Sequence, residues 1–376
     1  MRQIWRSFLL LLGLSFASRP QHSKSAKTTM ILNTLFAIVI FCSVCFSLNA
    51  TAKVEIVANF EINPQAISAS LKKHGQDAEV LSSDLNQYEL LKIGKSKWSK
   101  WHKRLLTEVF HPEVLDKDTS KVVFFNITGK YRNYFALKML PKEKMVLFMW
   151  EPPSIMKKMY SEKVWSCFAK IYTWDDSLVD NKTFFKFYYP VWQPLTANIP
   201  SFEEKKLCTL VSSNRTCRHP MELYSERLKA IEYFEKAGET GFKFYGRGWD
   251  EKEHPNYLGP IGNKVAVIKN YRFSICYENI HDIQGYITEK IFDCFAAGNV
   301  PVYWGASNIE QYVPMDCFID RRNFGSLEEL HAFLKKMTKQ EYEGYLTRIQ
   351  AFLDSDQAKL FSYENYEKIL SEAIAN

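Results

Sequence analysis

The chain has 376 residues, of which 46% are hydrophobic and 15% are aromatic. This length exceeds what one hydrophobic core usually holds, and the composition excludes intrinsic disorder, so we expect two folded domains. The formal net charge is +7, but residues 1–52 contain five basic residues and no acidic one, which leaves only +2 for the remainder. Such a balance lacks the basic footprint of a nucleic-acid-binding domain, and we expect no nucleic-acid partner.

An uncharged apolar segment lies near the amino terminus, at residues 30–48. Its nineteen residues are enough to cross a bilayer as one helix. All basic residues of the first 52 precede it, so the positive-inside rule places the amino terminus in the cytoplasm and the body of the chain across the membrane. Two interpretations stay open: an uncleaved anchor, which the length of the segment favours, and a signal peptide cleaved near residues 49–52, with Met30 as an alternative start.

Residues 53–195 are predicted to form a first α/β domain. Apolar runs typical of strands occur at residues 54–60, 122–127, 145–150 and 171–174, and helical patterns occur at residues 64–74 and 131–140. Glu151-Pro152-Pro153 follows the third run. The prolines end that strand and hold the Glu151 carboxylate at its carboxyl end, where ligands bind in α/β sheets, although a strand-end glutamate is otherwise most often a turn residue.

Residues 196–350 are predicted to form a second α/β domain, followed by a helical segment at residues 351–376. Strand patterns occur at residues 207–213, 242–245, 273–277 and 300–304, and helical patterns occur at residues 221–237 and 287–297. The last two strands and the helix between them make a βαβ unit, so the sheet should be parallel and covered by helices. Residues 278–290 then lie at the mouth of a site beyond the carboxyl ends of the strands.

Lys290 is the most informative residue at this mouth. A lysine in the first turn of a helix is disfavoured by the helix dipole unless an anion binds there. The free amides of a helix N-terminus and an ammonium group together make a phosphate site. Glu289 beside it suits the opposite task of accepting hydrogen bonds from sugar hydroxyls. Taken alone, a Glu-Lys pair is more typical of an exposed, solvated helix face.

Three blocks around Lys290 change that balance. They are YEN at residues 277–279, GYITEK at residues 285–290 and AAGNVPVYWG at residues 296–305. In this order and spacing the blocks resemble the donor-binding signature of the alpha-1,3/4-fucosyltransferase family. The resemblance implies an α/β fold of the GT-B type, with two Rossmann-like domains facing each other across a cleft, and an inverting transfer of fucose from GDP-fucose to an N-acetylglucosamine-containing glycan. The acceptor would be a glycoprotein, a glycolipid or a lipopolysaccharide.

The resemblance also implies roles for individual residues. Glu151 corresponds to the catalytic base of the family, although Pro152 stands where the family has serine. The implied donor-binding residues are Arg227, Glu278, Asn279, Tyr286, Glu289 and Lys290. Of these, Arg227 and Lys290 would bind the diphosphate, Glu289 would hold ribose hydroxyls, and Tyr286 would pack against the nucleotide or reach its phosphate. Arg227 is less securely aligned than Lys290, and a surface arginine on an amphipathic helix is its alternative.

We expect no required metal or other cofactor, with a divalent metal as a stimulant at most. The adjacent acids Asp175 and Asp176 lack the acid-x-acid spacing of a diphosphate metal site, so a polar loop is favoured. None of the eight cysteines forms part of a paired CxxC motif, which disfavours zinc. Pairing of Cys208 with Cys217 in an oxidising compartment stays open.

The membrane segment and the implied activity together predict a membrane location, in the Golgi if the source is eukaryotic and in the cell envelope or inner membrane if it is bacterial. Asn-x-Thr triplets are glycan sites only in a eukaryotic secretory lumen, and they begin at Asn49, Asn126, Asn181 and Asn214. Two alternatives to the implied function stay open. One is an inverting glycosyltransferase with another nucleotide sugar, and the other is a catalytically idle glycan-binding relative. The linkage formed, 1,3 or 1,4, is also open.

Overall fold

The computed structural model describes residues 52–58, 64–75, 78–84, 119–127, 137–138 and 140–375. The predicted membrane segment at residues 30–48 and most of the predicted helix at residues 131–140 lie outside these ranges. Among the helices within them, none has both the length and the apolar character that crossing a bilayer requires. The described residues group into one compact unit.

The first sheet runs from the start of this unit to residue 186. Its strands are all parallel, in the order β2-β1-β3-β4-β5-β6. They are β1 Ala52–Ala58, β2 Ala78–Asp84, β3 Thr119–Phe125, β4 Met145–Met149, β5 Lys170–Thr173 and β6 Phe184–Lys186. The four strands predicted in this domain are confirmed. The sequence AEVLSSD of β2 has no continuous apolar run, and β6 has only three residues at the sheet edge, so neither strand was predicted.

Three helices connect strands of this sheet. Helix α1 Pro64–Lys73 lies between β1 and β2, and helices α2 Pro153–Met156 and α3 Glu162–Trp165 lie between β4 and β5. Every residue of β4 is buried, as expected for a central parallel strand covered on both faces. Pro153 opens α2 at a position where the missing amide hydrogen has no helical acceptor to lose. Glu151 therefore lies in the short connection between β4 and α2.

The second sheet is also parallel, in the order β11-β10-β9-β7-β8. Its strands are β7 Lys206–Val211, β8 Phe242–Tyr245, β9 Tyr271–Tyr277, β10 Val300–Trp304 and β11 Ile319–Asp320. The helices that connect them are α4 Tyr224–Lys236, α5 Lys264–Ile268 and α6 Glu289–Ala296. The four predicted strands of this domain are confirmed, and so is the βαβ unit formed by β9, α6 and β10.

Both ends of α6 are set by single residues. Thr288 is its N-cap, and the Thr288 side chain accepts a hydrogen bond from the backbone amide of Lys290. Gly298 follows the helix with a φ of +59°, which confirms the predicted left-handed stop. A side chain at Gly298 would also meet Ile199, since a Cβ atom there would lie 2.5 Å from Ile199 Cδ1.

The carboxyl-terminal helices cover both sheets. They are α7 Leu327–Lys336, α8 Lys339–Leu353, α9 Asp356–Lys359 and α10 Tyr363–Ala375. Helix α8 packs on the second core through Tyr342, Ile349 and Phe352. Helix α10 instead joins the first core, where the Tyr366 ring lies 5.8 Å from that of Trp150. The chain thus returns to the first sheet after completing the second, and the predicted helical character of residues 351–376 is confirmed.

Candidate active site

The site is built where carboxyl ends of strands from the two sheets meet. Glu151 follows β4 of the first sheet, and residues 278–290 follow β9 of the second. Aromatic rings join these two segments: the ring of Tyr286 lies 4.5 Å from that of Trp174 and 6.4 Å from that of Tyr189. The predicted candidates from the two domains are therefore brought into one region.

Glu151 is the candidate base on the first-sheet side. Burial raises the pKa of its carboxyl group above the ordinary value. The positive charge of Lys290 opposes this rise, Glu289 adds to it, and Arg215 opposes it more weakly. A carboxylate with a raised pKa is a better proton acceptor than an ordinary surface glutamate, which is what general-base chemistry near neutral pH requires.

Lys290 lies in the first turn of α6, as predicted, and its ammonium group is paired with acidic side chains. Its Nζ lies 3.0 Å from Glu278 Oε2, 3.0 Å from Thr288 Oγ1 and 3.6 Å from Glu289 Oε1. Burial alone would lower the pKa of Lys290, but Glu278 and Glu289 raise it above the ordinary value. Lys290 therefore carries a permanent positive charge at the helix N-terminus.

Glu278 is fully buried behind Lys290. Its carboxylate accepts hydrogen bonds from the Thr288 amide at 2.8 Å and from the Thr288 hydroxyl at 2.8 and 3.0 Å. These bonds satisfy a free amide at the start of α6 and fold the intervening loop back onto the end of β9. Glu278 thus acts on the site from behind, by holding Lys290 and the helix terminus.

Arg227 projects from α4 and is 5% exposed. Its Nη2 donates to the Tyr277 carbonyl at 2.7 Å and to Asn279 Oδ1 at 3.1 Å, and its Nη1 donates to Ser212 Oγ at 3.2 Å. The structure thus brings Arg227 and Asn279 together, and it excludes the alternative of a surface arginine. Ser212, at the end of β7, was not predicted.

Glu289 faces a second lysine that was also missed. Lys264 Nζ lies 3.3 Å from Glu289 Oε1 and 3.2 Å from Asp293 Oδ2. Burial alone would raise the pKa of Glu289, but Lys290 and Lys264 lower it to about 2. Glu289 is therefore ionised throughout the physiological range and can only accept hydrogen bonds. In sequence Lys264 is one of several lysines in a polar stretch, and nothing there singles it out.

An open cavity lies between β7, β9, α5 and α6. Its lining includes Val211, Arg227, Lys264, Ser274, Lys290 and Asp293. The Ser274 hydroxyl is buried and has no hydrogen-bond partner in the described part of the chain. The lining therefore combines three cationic side chains with the Asp293 carboxylate.

Tyr286 does not line this cavity. It is 2% exposed, and its ring packs against Trp174 in the core of the first sheet. In this position it fixes the loop before α6 to the first sheet. The predicted contact of Tyr286 with a nucleotide stays a prediction.

The adjacent acids Asp175 and Asp176 both bind protein groups. Asp175 Oδ1 accepts from the Ser177 amide and hydroxyl, and the Asp176 carboxylate accepts from Lys186, Asn308 and Tyr312. The residues that the structure describes contain no group of three or more His, Cys, Asp or Glu side chains arranged to hold a metal ion. The favoured interpretation of a polar loop agrees with these contacts.

Comparisons with known proteins find similarity to glycosyltransferases over part of the chain. Residues 201–359 match the family model described as glycosyltransferase family 10 (fucosyltransferase) C-term. The mouse (Mus musculus) 4-galactosyl-N-acetylglucosaminide 3-alpha-L-fucosyltransferase 9 is 34% identical over 149 residues, which cover 39% of this chain and 36% of the relative. An alpha-(1,4)-fucosyltransferase of Arabidopsis thaliana is 40% identical over 72 residues, 19% of this chain and 18% of the relative.

The chain thus spans about a third of the length of the first of these relatives, and less of the second. Among solved structures it is similar to an alpha1,3-fucosyltransferase with GDP-fucose, at a TM-score of 0.47 and 14% identity over 85% of this chain and 98% of the other. The resemblance predicted from residues 277–305 is confirmed by the match over residues 201–359.

Proposed function

Because residues 201–359 belong to glycosyltransferase family 10, we propose that the chain transfers L-fucose from GDP-fucose to an N-acetylglucosamine-containing glycan, with inversion at the anomeric carbon. One observation carries the proposal furthest. A half-buried glutamate with a raised pKa, Glu151, lies where it feels the charge of Lys290, a lysine fixed at a helix N-terminus. A proton acceptor therefore lies within electrostatic range of an anion site.

In the proposed reaction the acceptor hydroxyl attacks the anomeric carbon of fucose while Glu151 takes its proton. The bond from that carbon to the diphosphate breaks, and GDP leaves with the electron pair. Lys290, Arg227 and the first amides of α6 stabilise the charge that develops on the diphosphate. These groups supply the positive charge that a divalent metal supplies in other nucleotide-sugar enzymes, so we propose that no metal is required.

Glu289 and Asn279 complete the proposed donor site. The ionised Glu289 carboxylate accepts hydrogen bonds from the ribose hydroxyls, with Lys264 as its counter-ion. Asn279 orients Arg227 through the bond between Asn279 Oδ1 and Arg227 Nη2. We further propose that the acceptor binds on the side of the first sheet and that residues 30–48 attach the chain to a membrane.

The test measures GDP release by the purified full-length chain in detergent, with N-acetyllactosamine as acceptor. GDP-fucose, UDP-galactose and GDP-mannose are offered in parallel, with and without EDTA. We expect acceptor-dependent turnover with GDP-fucose alone, retained in EDTA and lost in Glu151→Gln and Lys290→Ala. Glu253 and Lys252 are exposed residues outside the proposed site, and they provide matched controls. The variants Glu253→Gln and Lys252→Ala should retain activity.

Other outcomes contradict parts of this proposal. Turnover with a different donor overturns the assignment of fucose and retains a glycosyltransferase. Loss of turnover in EDTA overturns the metal-independent mechanism. Binding of GDP without turnover on any acceptor favours the catalytically idle glycan-binding relative.

A further inference from the structure

The peptide groups around Glu151 are held by side chains rather than by a neighbouring strand. Asn126 Oδ1 accepts hydrogen bonds from two successive backbone amides, that of Trp150 at 2.9 Å and that of Glu151 at 2.8 Å. Because β4 ends at Met149, strand pairing does not satisfy these amides. A single amide oxygen thus fixes the backbone from which the Glu151 side chain projects.

The carbonyl groups of the same two residues are held as well. The Trp150 carbonyl accepts from the Tyr189 hydroxyl and from Trp174 Nε1, the latter at 3.2 Å. The Glu151 carbonyl accepts from the Tyr160 hydroxyl at 2.8 Å. Every backbone hydrogen-bonding group of Trp150 and Glu151 therefore has a partner, and the proline that follows narrows the backbone freedom of Glu151 further.

Asn126 suits this position for two independent reasons. It follows β3 with a φ of +64°, in the left-handed region that asparagine tolerates better than other residues with a side chain. Its short amide also offers an uncharged oxygen with two lone pairs, enough for both amides. Asn126 is 2% exposed, so in the folded chain this Asn-Ile-Thr triplet is not open to glycosylation.

We propose that Asn126 is a positioning residue for Glu151, which aims the carboxylate at the acceptor hydroxyl by fixing the two peptides before it. This inference rests on the proposed function of Glu151 as the base. Misplacing a catalytic group by about 1 Å is enough to lower a rate by about 10²-fold. The donor cavity lies on the second sheet, so the loss should fall on kcat and leave donor binding intact.

Two substitutions separate the oxygen from the backbone conformation. Asn126→Gly keeps the left-handed conformation and removes the acceptor, whereas Asn126→Asp keeps an acceptor oxygen and adds a charge. Asn181→Gly is the matched control, because Asn181 also has a positive φ, of 55°, and is exposed. The readouts on the full-length chain are kcat, KM for GDP-fucose, the affinity for GDP and the pH profile of kcat.

We expect Asn126→Gly to lower kcat by about 10²-fold, with KM for GDP-fucose and GDP affinity unchanged. Released toward water, Glu151 should titrate closer to its ordinary value, so the acidic limb of the pH profile moves to lower pH. Asn126→Asp should restore part of kcat and move the same limb to higher pH, because a second carboxylate lies beside Glu151. The neighbouring charges of Lys290, Glu289 and Arg215 are the same in all variants.

An unchanged kcat in Asn126→Gly overturns the proposal. So does a loss of GDP affinity equal to the loss of kcat, or a lowered melting temperature with an unmoved pH profile, since either indicates a merely structural role. If the wild-type chain shows no turnover, the proposed function fails and positioning is tested separately by carbon-13 titration of glutamate carboxyl groups. Glu151 is the signal missing in Glu151→Gln, and an identical titration of that signal in wild type and Asn126→Gly refutes positioning.

Discussion

Replacing Asp176 with alanine tests whether one partly buried carboxylate links the two sheets at the site. The Asp176 carboxylate lies 2.6 Å from Lys186 Nζ in β6 of the first sheet. It also lies 2.8 Å from Asn308 Nδ2 and 2.7 Å from the Tyr312 hydroxyl, two residues between β10 and β11 of the second sheet. The side chains of Asp176 and Lys186 are 21% and 17% exposed. Asp176 is therefore the acceptor on which donors from both sheets converge.

Removing one partner of a buried ion pair costs about 3–5 kcal/mol, because the other charge stays buried. The Asp176–Lys186 pair is only partly buried, and Lys186 retains a hydrogen bond to the Trp174 carbonyl at 2.7 Å, so we expect a loss no larger than the lower end, about 3 kcal/mol. In the double variant Asp176→Ala/Lys186→Met no charge is left buried. The remaining loss should then be about 1–2 kcal/mol, for the unsatisfied Asn308 and Tyr312 donors.

The measurement is urea unfolding of the single and double variants at neutral pH. Asp356→Ala, which breaks a surface pair with Lys359, is the control and should change stability little. Burial would raise the pKa of Asp176, but hydrogen bonds from Lys186, Asn308 and Tyr312 lower it. Its contribution is therefore present above about pH 4 and is lost as the pH falls through the folded-state pKa. A double variant less stable than the Asp176→Ala single would refute the reasoning.

Two further changes test other contacts of the described fold. Gly285→Ala should destabilise the chain by about 2–5 kcal/mol in urea unfolding, because φ is +77° and a Cβ atom would lie 2.3 Å from the Trp174 carbonyl oxygen. Gly259→Ala is the control, because Gly259 also has a positive φ, of +90°, but open space around the Cβ position, so its loss of stability measures the backbone strain alone. Equal losses of stability in the two variants would contradict the clash with Trp174. Burial lowers the pKa of Lys205 to about 8. The native state therefore binds fewer protons than the unfolded state between about pH 8 and 10.5. As the pH rises across that window, the free energy of unfolding of the wild type should increase by up to about 3 kcal/mol relative to that of Lys205→Met. A difference between wild type and Lys205→Met that does not change with pH would show that Lys205 titrates normally.

The sequence was sufficient for the central part of the fold. Strands β4 and β10 are continuous apolar runs, and the helix stop at Gly298 has the positive φ that glycine adopts without strain. Strand β2 escaped prediction because its pairing with β1 depends on a partner elsewhere in the chain and not on its own pattern. Where a strand begins and ends depends on the strands that it pairs with, which is a property of the tertiary structure. The local sequence pattern predicts these bounds only when the strand is almost completely buried.

The candidate site likewise contains residues that the sequence could predict and contacts that it could not. Lys290 was predictable because a lysine at a helix N-terminus is locally unfavourable, and a local conflict indicates a ligand. Its partner Glu278 was placed in the pocket, but its ion pair with Lys290 depends on how the loop of residues 279–288 folds back. Asn126 was predicted only as a triplet at the end of a strand, since the amides that it binds lie 24 and 25 residues along the chain. Neither partnership leaves a periodic signal.

The charged side chains around the proposed donor cavity balance one another. Three basic and three acidic side chains are linked there by ion pairs and shared neighbours, namely Arg227, Lys264, Lys290, Glu278, Glu289 and Asp293. A bound diphosphate adds at least two negative charges to this balanced set. The set must then take up a proton or rearrange, because a buried negative excess of this size is unfavourable.

Asp293 is the group that can take up this proton. Although Lys264 lies 3.2 Å away and opposes it, burial raises the pKa of Asp293 above the ordinary value. A nearby diphosphate raises that pKa further, so binding of GDP should draw a proton onto Asp293, and GDP affinity should increase as the pH falls from 7 toward 5. Calorimetric titration in buffers of different ionisation enthalpy measures this uptake directly. Asp293→Asn should bind GDP with less proton uptake than the wild type, which cancels the contribution of the phosphate itself from the comparison. Equal proton uptake in the two proteins would exclude Asp293 as the proton acceptor. The added negative charge would then be compensated by movement of Lys290 away from Glu278.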